Sequence, residues 1–535
     1  GIIKQKDFEK ELWIEISKKF KVDAQDLKLK ELTLNFYQQL AILNKKGILN
    51  VWLQIIKNAF IPLFHKKVDF LIGNPPWVNW QTLPEDYRDS IHKHWYEYKI
   101  FDFTGLKARL GNAHDDISVL LTYVVMDNFL KDNGTLAFII NQNLLQAYGG
   151  GEGFRKFLIK GNTPVKVIKV DDFVLVEPFL SLGASNRTAV IYMKKGEKTI
   201  YPVQYNKWYK LEKGIIDAED TLMSVLTKVD FTSLIAEPVN NIYNSSWMIG
   251  TEEQLEIFSK MQGKCNYLAR KGVDTSANGI YWVEVLDKLR GKVIIRNTPE
   301  NSKKAIPQFN GAIEEKYLYP LVRGKDIHKW KYVTPYKVII PYEENMKKPV
   351  SKDTLQSESE NLYKYFYDSN FNPNSEMFLQ ILTSRGIYKK HYENVNVPEY
   401  VLYNIGEYTS APYKVVWKAL ASKGMEACVI SSEKGKLIIP DHNNVMVPFE
   451  DREEAYYFCA IVNSKLIGEF IDSYISWFKS NHILENISIP NFIPENSVHH
   501  RLAILGEQAH VEVENKNKLK KIEEEIERTV KLLFL

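Results

Sequence analysis

The residues best placed to do chemistry are Asn74, Pro75, Pro76 and Trp77, which follow directly on the short apolar run VDFLIG (68–73). The side-chain oxygen of Asn74 and the backbone carbonyl of Pro75 make a pair of acceptors, and the two prolines restrict the backbone that aims them. Such a pair suits an exocyclic amine whose lone pair is delocalised into an aromatic ring. Each acceptor takes one proton of the amine, the lone pair is left facing an electrophilic methyl group, and the positive charge developing on nitrogen is stabilised. No acid or base need ionise. Trp77 adds a flat face on which a base can stack. An adenine inside a duplex is out of reach of this geometry, so the reading requires the base to be flipped out, with the aromatic platform offsetting part of the lost stacking. The competing explanation is a proline-rich turn, since Asn-Pro commonly opens turns. At average usage an Asn/Asp-Pro-Pro-aromatic run arises by chance in roughly one chain of this length in a hundred, which favours chemistry.

The elements around the loop follow from hydrophobic spacing. Up to about Phe64 the apolar residues recur at three- and four-residue steps (Phe8, Leu12, Trp13, Ile16, then Val51, Ile55, Phe60), which predicts helices. VDFLIG reads as a strand stopped by Pro75 and Pro76, which cannot donate to a sheet ladder. An apolar helix (117–130), a turn at Asp132-Asn133-Gly134 and a strand (135–141) come next, an order that suggests a parallel α/β sheet. In open sheets of this kind ligands sit at the C-terminal ends of strands, where Asn74 is. Two further strands are predicted at 165–170 and 188–193. Beyond about Ile200 the pattern turns irregular, rich in Tyr, Trp, Asn and Pro, and the chain ends in an amphipathic helix. The expected fold is α/β: a partial Rossmann-like sheet, its second half only, followed by a mixed α+β domain and a C-terminal helix. The expected boundaries are a helical segment 1–66, a catalytic half 67–200, a second domain 201–505 and a terminal helix 506–535.

Composition narrows the class. With 535 residues, 45% of them hydrophobic and 25% charged, the chain can bury more than one core. Three cysteines, Cys265, Cys428 and Cys459, lie far apart without a CxxC pair, which argues against a disulfide framework and against a metal site. No apolar run reaches the roughly 20 residues of a membrane span, and the N-terminal stretch lacks a signal-peptide core, so a cytoplasmic location is expected. A formal charge of +4 neither requires nor excludes nucleic acid.

The stretches NVWLQIIKNAFIPLF (50–64) and VDFLIGNPPWVNWQTLPEDYR (68–88) resemble the catalytic-loop region of type IIG restriction-modification enzymes, whose methyltransferase part is a TaqI-like, gamma-class adenine-N6 methyltransferase. That resemblance implies that Asn74, Pro75, Pro76 and Trp77 are catalytic, that the methyl donor is S-adenosyl-L-methionine (AdoMet) and that the substrate is double-stranded DNA with a flipped adenine. It implies a cofactor-side role for Asp116, which opens the helix after the loop; a plain helix N-cap accounts for Asp116 equally well. Phe179, in EPFLSLGASNRTAVIYMKK (177–195), is the candidate to stack beside Trp77 against the flipped base, with core packing as its rival. KGVDTSANGIYWVEV (271–285) and YLYPLVRGKDIHKW (317–330) resemble target-recognition signatures, and LIIPDHNNVMVPF (437–449) with AYYFCAIVNSKLIGEFI (455–471) the strand and helix that close such a domain. Within the second signature Arg323, Lys325, His328, Lys329 and the following Lys331, interleaved with Tyr319, Trp330 and Tyr332, are expected to meet phosphates or base edges. The alternative is a solvated turn of charges over packed aromatics.

The family's Gly-rich AdoMet turn and its ribose-binding acidic residue do not occur before Asn74. Gly149-Gly150-Gly151 follows the wrong strand and reads as a flexible loop, and Pro440-Asp441 with Glu433-Lys434 is a nuclease-like coincidence in the wrong order. The expectation is therefore the catalytic and recognition portion of a restriction-modification methyltransferase, inactive without an N-terminal half of the same enzyme that binds AdoMet. The alternatives are a DNA-binding specificity module without activity of its own, or a methyltransferase of another phage-defence system.

Overall fold

The computed structural model describes all residues except 1, 65, 102–114, 148–149, 213, 215, 303, 390–396, 422–423, 434, 476–478 and 535, and not the side chains of 2–7 and 59–64. Gly149, Lys434 and the side chain of Phe60, singled out above, lie outside the described residues. Two compact units emerge, one of residues 1–69 with 127–131, the other of 70–126 with 132–535.

The first unit holds three helices, Ile2–Phe20, Leu27–Lys45 and Leu49–Phe64, as the apolar spacing predicts. Asp26 caps the second by accepting from the Leu29 amide at 2.9 Å. Trp13 is buried and donates its ring N–H to the Ala24 carbonyl at 2.9 Å, while Leu32, Phe36, Val51 and Ile55 on the same helices stay exposed.

The second unit is organised around an eight-stranded sheet. Its strands are β1 (Val68–Gly73, of which 70–73 fall in this unit), β2 (Leu130–Asn141), β3 (Leu158–Ile159), β4 (Thr163–Leu175), β5 (Thr188–Lys195), β6 (Val203–Lys210), β7 (Val229–Pro238) and β8 (Trp247–Gly250). The order across the sheet is β1-β2-β5-β4-β6-β7-β8, with β3 beside β4. Alternation decides which face is covered: Leu136, Phe138 and Ile140 on β2 and Ala189, Ile191 and Met193 on β5 are buried. The sheet is mixed and not parallel throughout. β5 runs antiparallel to both β2 and β4, whereas β4 and β6 are parallel. β4 and β5 are joined by residues 176–187, which carry one short 3-10 turn and no crossover α-helix. The domain boundary expected at 200/201 falls inside this sheet, because β6 to β8 continue it to Gly250.

Beyond β8 the chain builds two further layers. A six-stranded sheet carries the strands Trp282–Leu289, Lys292–Asn297, Asn310–Glu314, Leu318–Val322, Tyr336–Ile339 and Ile439–Pro440. Its core joins Val283, Ile295, Leu321 and Val338 to Leu362, Phe366, Phe378 and Leu382 of covering helices. A four-stranded sheet, Tyr413–Lys418, Ala427–Ser431, Asn444–Phe449 and Arg270–Lys271, shares a core with the helices Arg452–Val462, Lys465–Tyr474, Ser497–Val511 and Lys516–Phe534. The terminal segment is thus two helices, and the expected boundary at 506 lies within the first of them. No helix among the described residues is long and apolar enough to cross a membrane.

Candidate active site

Chain geometry presents the loop at the end of β1. A Cβ on Gly73 would come within 2.9 Å of the Phe138 ring on β2, so only glycine lets the strand end this close to its neighbour. Asn74 then leaves the sheet exposed, Pro75 is buried and Trp77 is half-buried, its ring N–H directed at the Ile139 carbonyl 3.4 Å away. Downstream the loop is tied to the start of the helix Ile117–Phe129: Ile117 donates to the Val78 carbonyl at 2.9 Å and Trp80 to that of Asp115 at 3.0 Å.

Asn74, Pro75, Pro76 and Trp77 line a cavity of about 350 Å³ together with Phe179, Leu182, Ala184 and Asn186. That volume is at the lower end of the ~300–1,000 Å³ common for small-molecule sites. Phe179, predicted from sequence, is half-buried at the cavity wall and not closed into a core. Asn186 was not anticipated; its only signal was position, in the turn leading into the predicted strand at 188–193. Among the described residues the side-chain amides of Asn74 and Asn186 have no hydrogen-bond partner.

Behind the loop lie two buried carboxylates. Asp116 accepts from the Ser118 amide at 3.0 Å and from the Ser118 hydroxyl, the geometry of a helix N-cap, and burial raises its pKa against the pull of those bonds. Asp116 Oδ1 therefore serves the helix. Asp115, which sequence reasoning passed over, accepts from the Gly151 amide at 2.6 Å, and burial raises its pKa to about 6. Gly151 needs to be glycine: its φ is +71° and a Cβ would sit 2.4 Å from the Leu144 carbonyl. Fully buried Arg155 donates to the carbonyls of Leu144, Ala147, Gly150 and Asn244 at 2.6 to 3.1 Å, and desolvation lowers its pKa to about 10. The described part of the glycine run is accordingly pinned by Asp115 and Arg155, which corrects its reading as a flexible loop. A buried arginine serving four carbonyls leaves no pattern in sequence.

The expected DNA-facing cluster divides. Arg323 is buried and donates to both oxygens of Asp326, at 2.6 and 2.9 Å, with its guanidinium 4.2 Å from the centre of the Tyr336 ring. Trp330 is 1% exposed, a member of the core beneath the four-stranded sheet, and donates to Glu523 at 2.9 Å. Each of these two expected DNA contacts is thus buried with a partner inside the chain, while Arg323 Nη1 is buried without one among the described residues. Lys329 is ion-paired with Glu523 at 2.6 Å and Lys331 with Glu514 at 2.8 Å. Lys325 and His328 are exposed.

Residues 7–174 match the family model of the Eco57I restriction-modification methylase. The methylase match takes in Asn74–Trp77, Asp115, Asp116 and Arg155 and ends before Phe179 and Asn186. The chain is also 26% identical over 446 residues, 81% of its length and 77% of the relative's, to the Type II methyltransferase M.NspV of a Nostoc species. Among solved structures it is similar to the Type IIL restriction-modification enzyme MmeI in complex with DNA, at 9% identity and a TM-score of 0.48 over 86% of this chain and 53% of that one. It is similar also to the type IIG restriction endonuclease BpuSI, at 14% identity and a TM-score of 0.29 over 88% and 54%. The chain spans about half the length of these two solved proteins. Asn74 to Trp77 lie within the region that matches the restriction-modification methylase model.

Proposed function

We propose that the chain is the catalytic and recognition portion of an adenine-N6 DNA methyltransferase that takes its methyl group from AdoMet. One observation carries the reading: Asn74–Trp77 and Phe179, distant in sequence, meet on one cavity, and the Asn74 amide has no hydrogen-bond partner among the described residues. In that cavity the Asn74 oxygen and the Pro75 carbonyl accept the two N6 protons. Trp77 and Phe179 take the faces of a base turned out of the duplex, replacing part of its lost stacking. Fixed acceptors stabilise charge developing on nitrogen without having to reorganise.

The described residues do not by themselves form a cofactor site. Asp116, the acidic candidate, is engaged as a helix cap, and β1 pairs with no strand on its outer side among the described residues. Phe70 and Ile72 on β1 are 74% and 84% exposed. Such an edge suits a further strand, and we assign it to an AdoMet-binding half outside these 535 residues. AdoMet supplies the methyl cation equivalent; this chain holds the amine. Lys325 and His328, exposed and without a carboxylate partner among the described residues, are the recognition-segment residues proposed to meet DNA phosphates.

The test is Asn74→Ala in the complete enzyme, expressed in a host without adenine methylation. N6-methyladenine in genomic nucleosides, measured by mass spectrometry, should fall about 10²- to 10³-fold, the loss typical of removing one preorganised group at a developing charge. Unchanged methylation would remove the loop from the reaction. A second reading, a DNA-binding module without activity of its own, is favoured by the engaged Asp116. It predicts salt-dependent heat with duplex DNA and none with AdoMet, even when the upstream half is present.

A further inference from the structure

We infer that Asn186 is a second base-reading group of the cavity, whose side-chain amide donates to a ring nitrogen flanking the amino group of the bound adenine. The inference rests on the reading above and deepens it. Of the eight lining residues only Asn74 and Asn186 bring polar side chains; Pro75, Pro76, Trp77, Phe179, Leu182 and Ala184 are apolar. An adenine whose amine sits against Asn74 and Pro75 carries an acceptor nitrogen on either side of that amine, N1 and N7. Against an apolar wall both would lose water without replacement, at a cost comparable to a lost hydrogen bond. Asn186 is the side chain able to supply a donor there, and its amide has no partner among the described residues.

The backbone around Asn186 is held, while its side-chain amide has no partner among the described residues. The Asn186 carbonyl accepts from the Thr188 hydroxyl at 3.3 Å, as β5 begins. Next to it, the Arg187 carbonyl accepts from the Gln142 amide at 2.8 Å, and the Arg187 guanidinium donates to Gln142 Oε1 through Nε and Nη2 at 3.3 and 3.0 Å. Gln142, 1% exposed, donates onward to Gln146 at 2.7 Å and to the Tyr205 hydroxyl at 3.3 Å, and Tyr205 donates to Asp172 at 2.7 Å. A connected network therefore fixes the backbone beside Asn186, whose own side chain is exposed at the cavity.

The experiment is saturation-transfer NMR on the whole chain, titrating 2′-deoxyadenosine and its 1-deaza and 7-deaza analogues. Asn186→Ala should weaken deoxyadenosine binding about three- to tenfold, the range of one hydrogen bond. Asn186→Asp, which keeps the shape but turns a donor into an acceptor, should weaken it at least as much. The effect of Asn186→Ala should disappear with the one analogue that lacks the contacted nitrogen. If Asn74→Ala abolishes binding while both Asn186 variants bind all three nucleosides as the parent does, Asn186 only lines the cavity and this inference falls alone. If the parent chain binds no deoxynucleoside, the base-pocket reading falls and takes the inference with it.

Discussion

Asn74–Trp77 and Tyr317–Lys331 look alike as sequence, each mixing aromatic rings with hydrogen-bonding side chains, yet Asn74 ends up beside a cavity while Arg323 and Trp330 end up buried, with Lys325 and His328 of the same segment exposed. In the first, the Asn74 amide faces a cavity and finds no partner in the described chain. In the second, Asp326 takes the Arg323 guanidinium, Glu523 takes both Trp330 and Lys329, and Glu514 takes Lys331. The chemistry of the residues does not separate the two cases. The supply of internal partners separates most of the groups: a group satisfied within the fold is structure and one unsatisfied beside open space is available to a ligand, while Arg323 Nη1 is buried without a partner among the described residues.

Four measurements would break or sharpen that contrast. Trp330→Ala removes a ring from the interior and should cost about 3–5 kcal/mol of stability in chemical denaturation. A folded variant with native stability and lost DNA binding would overturn the structural assignment. Arg323→Ala leaves the buried Asp326 carboxylate unpaired and should cost a similar amount, about 3–5 kcal/mol, with DNA affinity per folded molecule unchanged; a selective loss of affinity would return Arg323 to the interface.

Smaller effects follow. The Asp115 carboxyl has its pKa raised by burial to about 6, above its ordinary value, so the folded state holds the proton over a range where the unfolded chain has released it. Its contribution to stability is therefore most favourable below about pH 4 and declines as pH rises toward 6, by about 1–3 kcal/mol in total. Comparing the parent with Asp115→Asn across that window isolates the effect from His510, whose pKa is lowered to about 4 by burial and acts in the opposite sense. A constant difference between the two proteins would show that Asp115 does not titrate there. Least of all, Lys325→Ala should leave stability within about 0.5 kcal/mol and reduce the salt slope of duplex binding by about 1, without changing sequence preference. An unaltered slope would place the DNA elsewhere.

Much of the catalytic half was legible because its signals are local. The strand at 68–73, the helix beginning at Ile117 and the strands around 135–141, 165–170 and 188–193 follow from short-range periodicity. Phe179 was chosen by resemblance, and the fold brings it to the cavity of Asn74. Asn186, Asp115 and Arg155 were missed because what distinguishes them is burial or proximity between distant segments, and neither leaves a mark on residue order. The same cause misplaced the boundary at 200/201, since a strand cannot announce which neighbour it will pair with.

Residue order alone determined the acceptor-proline-aromatic loop and the strand that carries it, because each depends on backbone geometry within a few residues. Only the tertiary structure decided which polar groups were left over. Glu523 is far from Trp330 in the chain and Asp326 only three positions from Arg323, yet both pairs are settled by the same rule: a group drawn into the interior must find its partner there. Asn74 and Asn186, without such a partner among the described residues, instead line one cavity at the end of β1.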